Sequence, residues 1–393
     1  MMVALASLAL AAWCAQWFLA WRITRAVPPL SSARAEPLDR WPRLTMVVPA
    51  RDEARRVEAA LRSKLACGYP ELELVAVDDR STDGTGEIFA RVAADDPRVK
   101  TARVDALPAG WLGKLNAMAT GLRHATGEWV LFSDADVHVE PGVLQRLIAW
   151  CERERVDVAA VFPRIAPAGA VIDAALTHSL RALSLSGRLW RANDDASHVG
   201  LAVGAFTLVR RRWLDETDAL SVLRMEVADD VALGALLKQR GARTRVFAGR
   251  DEVHLHFLET FEALARSADK GGGMLGFSLP RTLALAILPV VFEVGVPLAA
   301  LASGGAAAAL GLACLAVATA AHLTLNLHFR CMPWSAPLWP LGSLVTAYCT
   351  LRSGLRAWRR QGVSWRDTFY PRAVLEAGRR LHVTSMRVIV PPP

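Results

Sequence analysis

The chain is poor in the devices from which many cofactor and metal sites are built. Its six cysteines (Cys14, Cys67, Cys151, Cys314, Cys331 and Cys349) form no C-x-x-C pair, so neither a disulfide framework nor a zinc site is indicated and a reduced compartment fits. No G-x-G-x-x-G follows the first strand-like run, which disfavours a nicotinamide-type cofactor. The glycine cluster KGGGMLGFSLPR (270–281) lacks the G-x-x-x-x-G-K-[ST] order of a P-loop, and reads as a break between a soluble domain and a membrane segment. Charge is missing in places too: residues 2–21 carry none, and 282–329 hold only Glu293 and two histidines as ionisable groups. The middle of the chain has no basic face with interleaved aromatics, so nucleic acid is not expected as a partner.

What is present is an apolar excess, 53% hydrophobic residues with a mean hydropathy of +0.25, gathered at the two ends of 393 residues. Residues 2–21 are long enough to cross a bilayer as one helix. No basic residue precedes them, unlike a signal peptide, whereas Arg22, Arg25 and Arg34 follow. Positive charge on that side predicts an outward N-terminus and a cytoplasmic domain after residue 22. Residues 282–329 suffice for two further helices joined at SGGAA (303–307). Glu293 inside the first is either functional or paired with a neighbouring helix. The run 335–350 is shorter and carries Pro337 and Pro340, which favours a re-entrant or interfacial element. Two to three C-terminal membrane helices over 278–352 are therefore expected.

The net charge of +8 does not contradict this, because residues 351–380 hold eight arginines against Asp367 and Glu376. A basic segment directly after apolar runs suits an anionic lipid surface. The tail 353–393 is expected in the cytoplasm, with Trp358 and Trp365 at headgroup level.

Between the apolar ends, strand-like runs alternate with helical ones. LTMVVPA (44–50) precedes a helical stretch over 51–65, LELVAVDD (72–79) a helix to about 94, and a short strand near 99–104 a helix around 114–125 before EWVLFSDAD. This alternation predicts an α/β fold with a mostly parallel sheet. Ligands of such sheets bind beyond the carboxyl ends of the strands. That edge would receive Pro49–Arg51, Asp78–Asp79 and Asp134–Asp136. So many carboxylates need a cation or donors to offset them. Hard oxygen ligands suit Mg²⁺ or Mn²⁺ shared with substrate phosphates.

Five strings in order, VVPARDE (47–53), VDDRSTDGT (77–85), GWLGKLNAMATG (110–121), SDAD (133–136) and ADDVAL (228–233), resemble the family 2 glycosyltransferases. The membrane-anchored, lipid-modifying members, similar to ceramide, hopanoid-associated and carotenoid glycosyltransferases, are nearest in kind. The resemblance covers roughly 44–270. It implies a GT-A catalytic domain over 40–270, a nucleotide-sugar donor (a UDP-sugar above all), a divalent metal and inversion at the anomeric carbon. Carried over by position, Pro49, Arg51 and Glu53 border the nucleotide, and Asp79 with Asp78 binds its base or ribose. Lys114 contacts the donor. Asp134 and Asp136 are the D-x-D pair on metal and diphosphate. Asp229–Asp230 match a Glu-Asp pair whose second member is the catalytic base, and a carboxylate opening a helix is favoured in its ionised form. Arg266 and Lys270 are possible diphosphate contacts.

One departure is the missing Q-x-x-R-W of processive members, replaced by LARSADKGG. Its absence favours a single transfer to a membrane lipid over a processive polysaccharide synthase. A third possibility, an inactive membrane scaffold of the same fold, has no use for clustered acids. His254 and His256, flanked by acids, admit a second metal site, although H-x-H on one strand face is more often structural.

Overall fold

The computed structural model describes residues 1–366, 368–382 and 385–390, and the chain divides into two compact units. One comprises residues 27–164, 191–255 and 377–393, the other residues 1–26, 165–190 and 256–376.

The first unit is built on an eight-stranded sheet. Its strands are β1 (Leu44–Ala50), β2 (Leu72–Asp79), β3 (Val99–Val104), β4 (Trp129–Ser133), β5 (His138–Val139), β6 (Val158–Ile165), β7 (Phe206–Arg210) and β8 (Thr244–Leu255). Their order across the sheet is 3-2-1-4-7-6-8-5. β3, β2, β1 and β4 run parallel, as the alternation of strands and helices requires, and β7 then enters antiparallel to β4. β1 and β2 are buried along their whole length, so both read as unbroken apolar runs ending in polar residues.

The helix expected over 51–65 begins only at Val57. Residues 52–54 are instead knitted to the loop after β2. Thr82 N donates to Asp52 Oδ1 (2.8 Å), Glu53 N to Thr85 Oγ1 (2.9 Å) and Ala54 N to Asp83 Oδ2 (2.9 Å). These side-chain contacts draw residues 52–54 onto the loop after β2, a local alternative to continuing the helix.

The second unit is helical. Among the described residues, three helices are long and apolar enough to cross a membrane: Met2–Ala26, Leu279–Ala302 and Gly305–Phe329. The apolar run 335–350 lies mostly in Trp339–Arg360, which is not among those three. Its polar turns pack inward as well as outward: Arg352 and Arg356 both bond Asp269, at 2.9 Å each.

Glu293 sits on a single π-helical turn, Val291–Gly295, and both of its carboxylate oxygens accept from Arg181 Nη2, at 2.8 and 3.0 Å. Arg181 also donates to His322 Nε2 (3.0 Å) and to Gln16, and lies 4.9 Å over the Trp13 ring. One buried arginine thus ties all three candidate spans to the helix Ala170–Ser186.

The expected domain limits of 40–270 differ from this division. Residues 165–190 and 256–270 belong to the helical unit, and 377–393 to the sheet unit.

Candidate functional site

At the carboxyl edge of the sheet, the helix Gly113–His124 starts between two acidic strand ends. Asp79, fully buried at the end of β2, is held by Arg80, with Nε–Oδ1 at 2.8 Å and Nη2–Oδ2 at 3.3 Å. Arg80 takes a left-handed backbone conformation (φ 60°) that turns its side chain back on its neighbour. A Cβ on Gly113 would lie 2.8 Å from Asp79 Oδ2 and 2.9 Å from Arg80 Nη2, so any larger residue would have to push the Asp79–Arg80 pair aside. Asp78 accepts from Ser81 N at 3.0 Å, which closes the turn.

The next residue, Lys114, faces the other strand end. Its Nζ donates to Asp134 Oδ1 at 2.8 Å, and it lines one cleft with Gly204, Asp229 and Asp230. Burial opposes its charge, but Asp134, Asp229 and Asp230 outweigh burial and hold the ammonium above its ordinary pKa. Asp229 and Asp230 open the helix Asp229–Gln239. Asp230 accepts from Gly204 N (3.2 Å) and Val231 N (2.8 Å), which fixes the carboxylate toward Lys114. A Cβ on Gly204 would come within 3.1 Å of Lys114 Nζ and 3.4 Å of Asp230 Oδ2.

Asp136 follows on the same turn as Asp134. Burial first, then the Asp134 carboxylate, push its pKa up to about 6, against the pull of Lys64. Lys64 is fully buried on the helix Val57–Leu65 and donates to the carbonyl of Val137. Burial lowers its pKa to about 7, with Asp136 and Asp134 working the other way. No signal specific to a site marks Lys64 in the sequence, except that a lysine occupies an apolar phase of a short helix. Arg80 and Gly204 are the other members that sequence reasoning passed over.

Among the described residues, no three His, Cys, Asp or Glu side chains are placed to hold a metal. Asp134 and Asp136 offer two hard carboxylate donors on one turn. That donor set fits a Mg²⁺- or Mn²⁺-type ion that takes its remaining ligands from phosphate oxygens and water.

Pro49 pairs in register with Val77 inside the sheet, and Arg51 Nε lies 3.7 Å from Asp52 Oδ2. The edge therefore brings together Asp79, Lys114, Asp134, Asp136, Asp229 and Asp230. Arg266 belongs to the helical unit, where its guanidinium bonds Glu262 at 2.7 Å, and Lys270 lies 5.4 Å from the Trp365 ring centroid. His254 stacks on His138 across β5 and β8, with centroids 5.1 Å apart and planes 7° from parallel.

Residues 45–218 match the family described as Glycosyl transferase family 2. The matched stretch holds Asp79, Lys114 and the Asp134–Asp136 turn but ends before Asp230. The succinoglycan biosynthesis protein ExoO of Rhizobium meliloti is 34% identical over 159 residues, 40% of this chain and 39% of that protein. The GalNAc(5)-diNAcBac-PP-undecaprenol β-1,3-glucosyltransferase of Campylobacter jejuni is 31% identical over 107 residues, 27% of this chain and 34% of that protein. The chain thus matches well under half the length of these curated relatives. Among solved structures, the mannosyltransferase PcManGT of Pyrobaculum calidifontis, in complex with GDP-Man and Mn²⁺, superposes with a TM-score of 0.51 at 20% identity. That likeness covers 88% of this chain and 99% of PcManGT.

Proposed function

We propose, on the premise that this chain carries a family 2 glycosyltransferase domain of GT-A fold, that it moves one sugar from a nucleotide-sugar to a membrane lipid. The observation that carries the reading is the convergence of Lys114 and Asp134 with Asp229 and Asp230 in one place. A cation set among carboxylates can receive a diphosphate, while a carboxylate on the same cleft receives a proton.

In this reading Pro49, Arg51, Glu53, Asp78 and Asp79 border the nucleotide, and Lys114 meets the diphosphate. Asp134 and Asp136 would hold Mg²⁺ or Mn²⁺, which would supply charge neutralisation of the leaving group. Asp230 accepts the proton of the acceptor hydroxyl as its oxygen bonds the anomeric carbon and the bond to the diphosphate breaks, with inversion. The two backbone N–H groups on Asp230 orient it for that step without neutralising it.

A lipid acceptor is supported by the three apolar helices and by a relative whose name specifies an undecaprenol-linked substrate. UDP as the nucleotide follows the family resemblance; the solved neighbour holds GDP-Man and Mn²⁺. The sheet unit then faces the cytoplasm of a multi-pass protein in the cell membrane, with the tail arginines on anionic lipid. A processive synthase is the second reading, favoured by 23% identity over 210 residues to the poly-β-1,6-N-acetyl-D-glucosamine synthase of Staphylococcus aureus; the missing Q-x-x-R-W opposes it.

The test is nucleotide release by the purified full chain from UDP- and GDP-sugars, with total membrane lipid as acceptor source and with Mn²⁺, Mg²⁺ or EDTA. Mass spectrometry reads the lipid product. One added hexose per lipid supports the reading, a ladder of sugars supports the processive alternative, and no release from any donor overturns both.

A further inference from the structure

The helix that opens with Asp229 and Asp230 is tied along its length to a segment that lies far away in sequence. Glu226, three residues before it, is only 5% exposed. Its Oε2 accepts the backbone N–H groups of Arg380 and Leu381, each at 2.8 Å, and its Oε1 accepts Ala228 N at 3.4 Å. At the other end of the same helix, Gln239 Oε1 accepts Val388 N at 2.9 Å. Between them, the Ser385 carbonyl lies 2.9 Å from His198 Nε2. Leu381–His382 and Arg387–Val388 pair as an antiparallel ladder. The loop before the helix is held from its other side as well, where Leu112 N, two residues before Lys114, donates to Arg224 O at 2.8 Å.

A buried carboxylate is costly unless donors compensate it. Here the compensation comes from main-chain groups of the C-terminal segment. The chain leaves the sheet unit at residue 255, runs through the helical unit and returns at 377.

We infer that Glu226 is a positioning residue, and that the C-terminal strap formed by residues 378–382 and 385–390 is a working part of the transfer site that sets where Asp230 stands. The inference rests on Asp230 acting as the base, but the strap itself can be tested without that assumption. Glu226 touches no reacting atom in this account. It acts through the helix, so its loss should reach proton removal from the acceptor and leave the donor site intact.

The experiment uses the full chain in detergent with Glu226→Ala, Glu226→Gln and a truncation after Gly378. Hydrogen exchange is read on peptides covering 225–240, UDP binding by calorimetry, and nucleotide release from the best donor of the panel above. Glu226→Ala and the truncation should speed exchange in 225–240 by roughly 10- to 100-fold, the scale of losing hydrogen bonds to a charged group. Nucleotide release should fall about 10-fold or more while the Kd for UDP stays within about twofold. Glu226→Gln keeps one carbonyl oxygen for the two N–H groups and should recover most of both effects. Unchanged exchange in Glu226→Ala overturns the strap. Equal loss of UDP binding and turnover overturns the positioning role, since that is general damage. If the wild type released no nucleotide from any donor, glycosyl transfer would fail as a reading, and the exchange arm would still decide the strap.

Discussion

Lys114 Nζ stands 2.8 Å from Asp134 Oδ1, on a helix whose preceding residue, Gly113, abuts Asp79. Two consecutive residues therefore join the acidic ends of β2 and β4. This makes the edge of the sheet a single site, because the cation that faces one carboxylate group is anchored by a contact with the other. It also gives the helix N-terminus, with its partial positive charge, to the place where a diphosphate would lie.

Lys114→Met keeps length and removes the charge. UDP binding should weaken by about 10- to 100-fold, the range for a hydrogen bond to a charged group. Calorimetry on the folded variant checks it, and an unchanged Kd would remove Lys114 from the donor site.

Asp136→Ala should abolish metal-dependent nucleotide release, with Asp134→Ala nearly as damaging, since either change leaves the diphosphate charge poorly offset. A Mn²⁺ titration of activity is the measurement. Wild-type turnover by Asp136→Ala would reduce the Asp134–Asp136 turn to a solvated bend.

The Arg181–Glu293 pair makes a different prediction, about stability. Arg181→Met strands the Glu293 carboxylate inside the helical unit and should cost about 3–5 kcal/mol, whereas Arg181→Met with Glu293→Leu should recover much of it. Thermal unfolding in one detergent ranks the three proteins. A single variant that melts with the wild type would show that the pair does not hold the helices together.

The tail can be located independently. With Cys14→Ser to remove an exposed thiol, Ser364→Cys should resist a membrane-impermeant thiol reagent in intact cells and react after lysis. Labelling in intact cells would place the tail outside and contradict the positive-inside assignment.

Much of the site was legible because buried strands that end in acids leave a visible trace. VAVDD and VLFSDAD each change from apolar to charged at the point where the chain leaves the sheet, and the register of β1, β2 and β4 does the rest. The helix start at Val57 was not legible, because residues 51–56 have helical composition and are diverted by partners near residues 81–85. Nor were the links made by tertiary contact. Lys64 reads as one more charge on a short helix until its amine meets the Val137 carbonyl. Glu226 reads as a surface acid until two amides arrive from residues 380 and 381. The assignment of 165–190 to the helical unit depends on packing along Trp339–Arg360, which no local pattern announces.

The central claim is that Asp230 takes the acceptor proton, and Asp230→Asn tests it most directly, because it keeps the shape and removes the base. Transfer to lipid by the purified full chain should fall by about 10²–10⁴-fold, with UDP binding unchanged and Asp229→Asn the milder variant. Asp230→Asn working at the wild-type rate, or Asp229→Asn proving the more damaging of the two, would contradict the account.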